Sequence, residues 1–287
     1  EWRVALNADG TIIGICDYRT DVNFTDTGVV RMFQWNGNAN WPGYDAMGSA
    51  ITGPHTGAKY GTELSISNDG KLVAISGHTN SSNNGFAPIY MWNGTEWNPL
   101  PAHASSSAGG GYYMSLISGD GKTLITSMGG ADTDGTIDTY TQRGRLQTFL
   151  QYETDAEALV PSVSYVQLGA DIYGSGPGVI HGFRTKISGD GLTILAISRN
   201  YAASTNPEVH AYRWDGDGWV PKGNLNQALS DAMPHAMAFE GLGINHDGSR
   251  ILLSSVSATA YVFDYNATSV TGWEPVGQTI ISVTIGI

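Results

Sequence analysis

The sequence predicts an all-β fold, a five-bladed β-propeller with four short antiparallel strands per blade, on three observations. An Asp-Gly pair recurs five times, at Asp9-Gly10, Asp69-Gly70, Asp120-Gly121, Asp190-Gly191 and Asp247-Gly248, with strand-forming runs on both sides. Glycine makes up 38 of the 287 residues, as tight turns between short strands require. No stretch shows convincing helical periodicity. Asp-Gly between apolar runs signals a hairpin, because glycine accepts a positive φ and aspartate tolerates it.

The five aspartates are spaced by 60, 51, 70 and 57 residues, and joining the termini adds 49, so a unit averages about 57 residues. Each unit has the same internal order. A first strand (Val4-Ala5-Leu6, Leu64-Ser65-Ile66, Leu116-Ile117, and the runs ending at Ile187 and Ile244) leads into the turn. An apolar second strand follows, as in Ile12-Ile13-Gly14-Ile15, Leu72-Val73-Ala74-Ile75, Leu124-Ile125, Ile194-Leu195-Ala196-Ile197 and Ile251-Leu252-Leu253. The third strand is aromatic (Val29–Trp35, Pro88–Trp92, Glu208–Trp214, Ala260–Tyr265), and a tight turn brings a second aromatic residue. The resulting pairs are Trp35 with Trp41, Trp92 with Trp97, Trp214 with Trp219, and Tyr265 with Trp273. A glycine and an apolar residue close the unit: Gly48 and Ile51, Gly169 and Ile172, Gly223 and Leu225, Gly277 and Ile280.

The third unit departs from this order. Its third strand is read at Thr136–Tyr140, and an extra segment at about 146–163 contains a short helix capped by Thr154 with Glu157 at the capping-box position. The chain is one domain, with blades at about 1–53, 54–104, 105–174, 175–229 and 230–287.

A net charge of −12 argues against nucleic-acid and anionic-membrane partners, which need a basic patch. Only 14% of residues are charged, and a hydroxyl-rich surface of this kind suits an extracellular β-protein. Cys16 has no partner for an internal disulfide and reads as a buried structural thiol. No run is long and apolar enough to span a membrane as a helix. A start at Glu1 without Met fits a processed, secreted chain, and the sequons at Asn23, Asn80, Asn93 and Asn266 are expected N-glycosylation sites.

Two segments carry a family resemblance: Gly169-Ala170-Asp171-Ile172-Tyr173-Gly174 running on to Ile187-Ser188-Gly189-Asp190-Gly191-Leu192, and the outer turn Trp92-Asn93-Gly94-Thr95-Glu96-Trp97. They resemble the extracellular propeller repeats of algae and other stramenopiles, which are loosely similar to FG-GAP (integrin-α-type) repeats. The resemblance implies a propeller in an extracellular or cell-surface setting and no particular chemistry. Most units lack the calcium loop of FG-GAP repeats proper. In blade count the chain is similar to the tachylectin-type lectins.

Candidate chemistry is sparse. Asp132, Asp134 and Asp138 around a glycine turn are the metal candidate, for calcium, against the reading of an ordinary acidic turn; no other cofactor is expected. The seven histidines are scattered, and His210 is read as packed in its strand. No nucleophile elbow, phosphate loop or dinucleotide fingerprint occurs. The inner-strand acids Glu1, Glu63 and Glu240 are the only ones placed for glycosidase chemistry. Glu63 and Glu240 are not expected to converge, and Arg3 and Arg184 share the column of Glu63 and neutralise it.

Trp41, Trp97, Trp219 and Trp273 are glycan-binding candidates, against the reading that each locks its own blade. The C-terminal run, with Thr279, Ile280, Ile281, Val283, Ile285 and Ile287, is uncharged and β-branched. It either closes its own ring or adds to a neighbouring subunit as an assembly strand. The reading that follows is a secreted, non-enzymatic structural or adhesive module whose partner is another copy of itself, as in a filament or surface layer. A glycan-binding lectin with pockets between blades is the alternative, and a glycoside hydrolase stands third.

Overall fold

The five Asp-Gly turns fold alike in the computed structural model, which describes residues 2–38, 43–77, 88–100, 113–128, 143–153, 163–176, 178–200, 207–232, 239–255, 259–278 and 280–281. In each turn the glycine has φ between +65° and +75°. The aspartate Oδ1 accepts the amide N–H two residues on, at 2.9 Å from Thr11 to Asp9 and 3.0 Å in the other four copies. A side-chain oxygen two residues before the aspartate (Asn7, Ser67, Ser118, Ser188, Asn245) accepts the amide of the residue three beyond it. These carboxylates are therefore occupied in holding their own turns.

The turns join the first two strands of five antiparallel meanders. Sheet one contains β1 (Trp2–Leu6), β2 (Ile12–Asp17), β3 (Val29–Trp35), β4 (Tyr44–Ala46) and β5 (Ile51–Thr52). Sheet two contains β6 (Leu64–Ile66), β7 (Leu72–Ile75), β8 (Ile89–Trp92) and β9 (Trp97–Pro99). Sheet three contains β10 (Tyr113–Ile117), β11 (Thr123–Met128), β12 (Arg145–Glu153), β13 (Val163–Gln167) and β14 (Ile172–Tyr173). Sheet four contains β15 (Val179–Ile187), β16 (Thr193–Asn200), β17 (Glu208–Trp214) and β18 (Trp219–Pro221), followed by helix α1 (Leu225–Ala232). Sheet five contains β19 (Phe239–Ile244), β20 (Arg250–Ser255), β21 (Thr259–Tyr265), β22 (Trp273–Pro275) and β23 (Ile280–Ile281).

Three elements differ from the sequence reading. The third strand of sheet three is Arg145–Glu153, where Leu146 and Phe149 are buried, so residues 146–153 belong to the sheet and not to an insertion. The strand read at 136–140 and the helix at Thr154 lie outside the described residues. In sheet one Tyr44, and not Trp41, stands opposite Trp35, because the longer turn moves the register. Helix α1 takes the place of a closing strand in sheet four: Leu225, Ala228 and Leu229 share one buried face, and Asn224 Oδ1 accepts the N–H of Gln227 at the helix start.

Ile280 and Ile281 pair with Thr259 and Ala260 inside their own sheet, as Ile51 and Ile172 do in theirs, so this part of the expected assembly strand is intramolecular. Residues Thr279, Val283, Ile285 and Ile287 of that run lie outside the described residues.

Four apolar cores join the sheets in series, one between each consecutive pair. Tryptophans of these cores also bolt neighbouring sheets together by hydrogen bonds. Trp97 Nε1 donates to Met47 O (3.0 Å), Trp219 Nε1 to Thr148 Oγ1 (2.7 Å) and Trp273 Nε1 to Lys222 O (2.6 Å). Lys222, itself buried, donates to Gly248 O (2.7 Å) and lies over the Tyr265 ring.

The turns are bonded in the same order: Asn7 Nδ2 to Asn68 O, Asn68 N to Gly119 O, Asp120 N to Gly189 O and Asp190 N to His246 O. Among the described residues neither an apolar core nor a turn bond joins sheet five back to sheet one. Cys16 is buried in the first core, and burial pushes its thiol up to about 12.

Trp273 is 1% exposed, and Trp273→Ala is expected to cost about 3–5 kcal/mol in denaturant unfolding. Val270→Ala, at a fully exposed position, is expected to stay within about 0.5 kcal/mol in the same assay.

Candidate functional site

Three places merit comparison as sites: the centre where the first strands meet, a polar cluster in sheet four, and the unpaired face of sheet one.

The first strands of all five sheets reach one cavity of about 210 Å³. Arg3 of β1, Glu63 just before β6, Met114 of β10, Arg184, Thr185 and Lys186 of β15, and Gly241 and Leu242 of β19 line it. A β-bulge between His181 and Arg184 shifts the register of β15 just ahead of the three residues that reach the cavity. Arg3, Glu63 and Arg184 share this wall, as their column in the repeat suggested. Sequence reasoning missed Lys186, whose Nζ donates to Glu63 Oε1 at 2.5 Å across 123 residues. Lys186 is thus the partner the structure places on Glu63. Glu240 sits at a second bulge, between Phe239 and Gly241, and Glu1 lies outside the described residues.

In sheet four His181 is 1% exposed, with Nδ1 2.6 Å from Ser198 Oγ and Nε2 3.2 Å from the Tyr212 hydroxyl. His210 packs edge-on against it, with ring centroids 5.1 Å apart, and pairs with Glu208 at 3.2 Å. The two histidines stand 29 positions apart on β15 and β17, which is why sequence spacing showed no pair. Burial pushes His181 down to about 3 and lowers His210, while Tyr212 is raised to about 12. The cluster looks like a nucleophile and its base, yet Ser198 is 2% exposed, beyond reach of a substrate.

Sheet two holds the same device in other residues. Tyr60 takes the place of His181 and bonds Tyr90, the counterpart of Tyr212. Gly28 and Gly144, in the preceding sheets, lie so close to the backbones of Tyr60 and His181 that an added Cβ would sit 2.3 Å from them. The cluster is a recurring inter-sheet lock.

The described candidates for sugar sites, Trp97, Trp219 and Trp273, are buried or partly buried. Trp97 and Trp273 are buried, and Trp219 is partly buried with its indole N–H bonded into sheet three; neither buried ring offers a face for a sugar. Trp41 lies outside the described residues, as do Asp132, Asp134 and Asp138. Asn23 and Asn93 are exposed, Asn266 is half-buried, and Asn80 lies outside the described residues.

The unpaired face is the largest departure from the repeat. On the side of sheet one turned away from sheet two, Trp2, Val4 and Leu6 are 67%, 63% and 57% exposed. Their repeat counterparts in sheet two, Leu64 and Ile66 opposite Val4 and Leu6, are 6% and 8% exposed because they pack on sheet one. Ile13 is half-buried, whereas its counterparts Val73, Leu124, Ile194 and Ile251 are at most 1% exposed.

No family model matches this chain, and no curated protein matches it in sequence. Its fold is similar to that of the periplasmic gluconolactonase of Pseudomonas aeruginosa: 13% identity, TM-score 0.56, covering 97% of this chain and 71% of that one. TolB of Acinetobacter baumannii matches with 13% identity and TM-score 0.49 over 97% of this chain, which spans 55% of that structure's length. The β-propeller domain of Cps50 from Myceliophteria thermophila matches with 10% identity and TM-score 0.48, over 93% of this chain and 65% of that one. The first likeness shows a β-propeller fold. It also overturns the expectation of a non-enzymatic chain, since a gluconolactonase is built on this architecture.

The His181 environment sets a pH dependence. The unfolded chain binds a proton there below about pH 6.5, while the folded chain excludes it until about pH 3, so stability falls as pH drops through that window. The loss is expected to be about 1.4 kcal/mol per pH unit in thermal or denaturant unfolding. His181→Tyr, which restores the residue type of sheet two, is expected to flatten that slope by one proton.

Proposed function

We propose that the five sheets are the five blades of one exported β-propeller, and that the chain is a structural unit assembling through the back face of sheet one. The observation that carries this reading is the exposure of Trp2, Val4 and Leu6 on a first strand whose described counterparts in the other sheets are buried or half-buried. Fully burying a valine or leucine side chain is worth about 1.5–3 kcal/mol, so a face of three such residues is a strong driving force left unused in the isolated chain.

The partner is a second copy. Within the chain, the front face of each sheet receives the back face of the next four times over, and among the described residues sheet five carries a front face without a successor. Leu252, 41% exposed, and Val262 stand there where sheet one has Gly14 and Met32 buried against sheet two. The Arg250–Asp264 ion pair, with contacts of 2.6 and 2.7 Å, closes the outer end of that face. Sheet five of one copy on sheet one of the next is a head-to-tail contact that does not close on itself, and it propagates into a filament. An adhesive or surface-layer role and the extracellular setting suit the exposed sequons and the low surface charge.

Sedimentation over a concentration series tests this reading. Wild-type protein is expected to self-associate, and the double variant Val4→Glu, Leu6→Glu is expected to raise the dissociation constant a hundredfold or more, about 3 kcal/mol. Leu252→Glu is expected to do the same from the other end. Monomeric wild-type protein across the whole accessible concentration range sinks the reading.

A further inference from the structure

We propose that Val276 and Gly277, at the end of sheet five, form an open seat for an aromatic pair, and that the pair it takes is Trp35 and Tyr44 of a second copy. The inference rests on the assembly reading above and names the contact that gives that assembly its direction. Three observations carry it.

The first is that the chain fills the same seat three times. After the outer strands β4, β13 and β18 an amide N–H donates back to the third strand, from Met47 to Met32 O (2.9 Å), Leu168 to Thr148 O (2.8 Å) and Lys222 to Ala211 O (2.8 Å). A glycine with positive φ follows each time: Gly48 (+65°), Gly169 (+75°) and Gly223 (+73°). A tryptophan ring of the next sheet closes on each glycine, so that an added Cβ would lie 2.9 Å from Trp92, 2.8 Å from Trp214 and 3.0 Å from Trp273. The carbonyl just before each glycine accepts an indole N–H: Met47 O from Trp97 (3.0 Å), Leu168 O from Trp219 (3.3 Å) and Lys222 O from Trp273 (2.6 Å). A glycine lets the ring approach, and a carbonyl fixes it.

Sheet two is the internal control. Leu100 N donates to Ile89 O (2.8 Å) in the same way, but the next residue is Pro101. The sheet that follows has no tryptophan anywhere between Arg145 and Gln167. Glycine and tryptophan are present together or absent together.

The second observation is that a fourth seat is built in sheet five and stands open. Val276 N donates to Val262 O (2.8 Å) and Gly277 has φ +71°, as in the other three. Among the described residues nothing lies within 4 Å of a Cβ added at Gly277. Val276 is exposed, where Met47 and Lys222 in the closed seats are buried.

The third is that sheet one, the first of the series, carries a matching pair. The rings of Trp35 and Tyr44 stand 5.2 Å apart at 64°, against 5.3 Å and 66° for Tyr265 and Trp273. Trp35 is exposed, whereas its counterparts Trp92, Trp214 and Tyr265 are half-buried. Stacking sheet one of a second copy on sheet five, as sheets stack within the chain, brings this pair to Gly277. Tyr44 occupies the place of the bolts Trp97, Trp219 and Trp273, and its hydroxyl already donates to Gly10 O (2.8 Å). The joint between copies therefore lacks the indole hydrogen bond of the joints inside the chain and is weaker than they are.

Sedimentation of single and mixed variants tests the seat. Asparagine tolerates positive φ, and its side chain meets open space in the isolated chain. Gly277→Asn is thus expected to fold like the wild type by circular dichroism and to weaken self-association at least tenfold. Trp35→Ala is expected to weaken it to a similar degree. Mixed together, the two variants are expected to restore one joint, the intact seat of the Trp35→Ala copy with the intact pair of the Gly277→Asn copy, and to form dimers that grow no further. Tyr44→Trp supplies an indole N–H for Val276 O and is expected to tighten association several-fold.

Association left unchanged by Gly277→Asn and by Tyr44→Trp overturns the seat, and so do mixed variants that stay monomeric. In either case Val4→Glu, Leu6→Glu still dissociates the wild-type assembly if the sheet-to-sheet contact is right, so the two readings fail separately. Wild-type protein that stays monomeric overturns both.

Discussion

The structure depends on one recurring contact, the back face of a four-stranded meander buried on the front face of the meander before it. A single sheet of strands two to nine residues long cannot hold itself together in water, and each sheet here becomes stable by giving one face to its neighbour. Val73, Leu124, Ile194 and Ile251 are the same position in four sheets, and all four are fully buried. The indoles of Trp97, Trp219 and Trp273 add a hydrogen bond at the outer end of this contact, and the Asp-Gly turns add another at the inner hairpins. At sheet one, where no such contact is made among the described residues, the apolar residues Trp2, Val4 and Leu6 stand exposed.

The same serial packing creates the centre. Stacking sheets by their faces brings all the first strands to one place, and residues far apart in sequence meet there. Glu63 and Lys186 come together only because sheets two and four both send their first strands inward. The polar lock of His181, Ser198 and Tyr212 shows the opposite outcome. Groups that would be reactive when exposed are held neutral by burial and serve packing, as Tyr60 and Tyr90 do one interface earlier.

Local signals were readable wherever backbone geometry demanded a particular residue. Only glycine sits easily at φ near +70°, so the five turns announce themselves, and the apolar second strands follow from their position after the turn. Reading failed where length varies. The third strand of sheet three is Arg145–Glu153 and was not read there, and a longer turn in sheet one puts Tyr44 opposite Trp35 in place of the expected Trp41. Helix α1 was missed because eight residues with three apolar positions look much like a short closing strand.

Of the central wall, Arg3, Glu63 and Arg184 were legible from their shared repeat column, whereas Lys186 was not. The repeat tells which face of a strand a residue occupies, since side chains alternate with a period of two. It does not tell which of several cations reaches a given acid, because bulges such as that between His181 and Arg184 re-aim the strand locally. Sequence alone thus established an all-β chain of five homologous meanders, its turns, its packed tryptophans as one of two readings, and its buried thiol. Tertiary packing decided which tryptophans are bolts, which cation neutralises Glu63 and that, among the described residues, sheet five does not bury the back face of sheet one. Those outcomes depend on how five nearly equivalent units stack in space, and equivalent units carry no mark in their own residues of which neighbour will be absent.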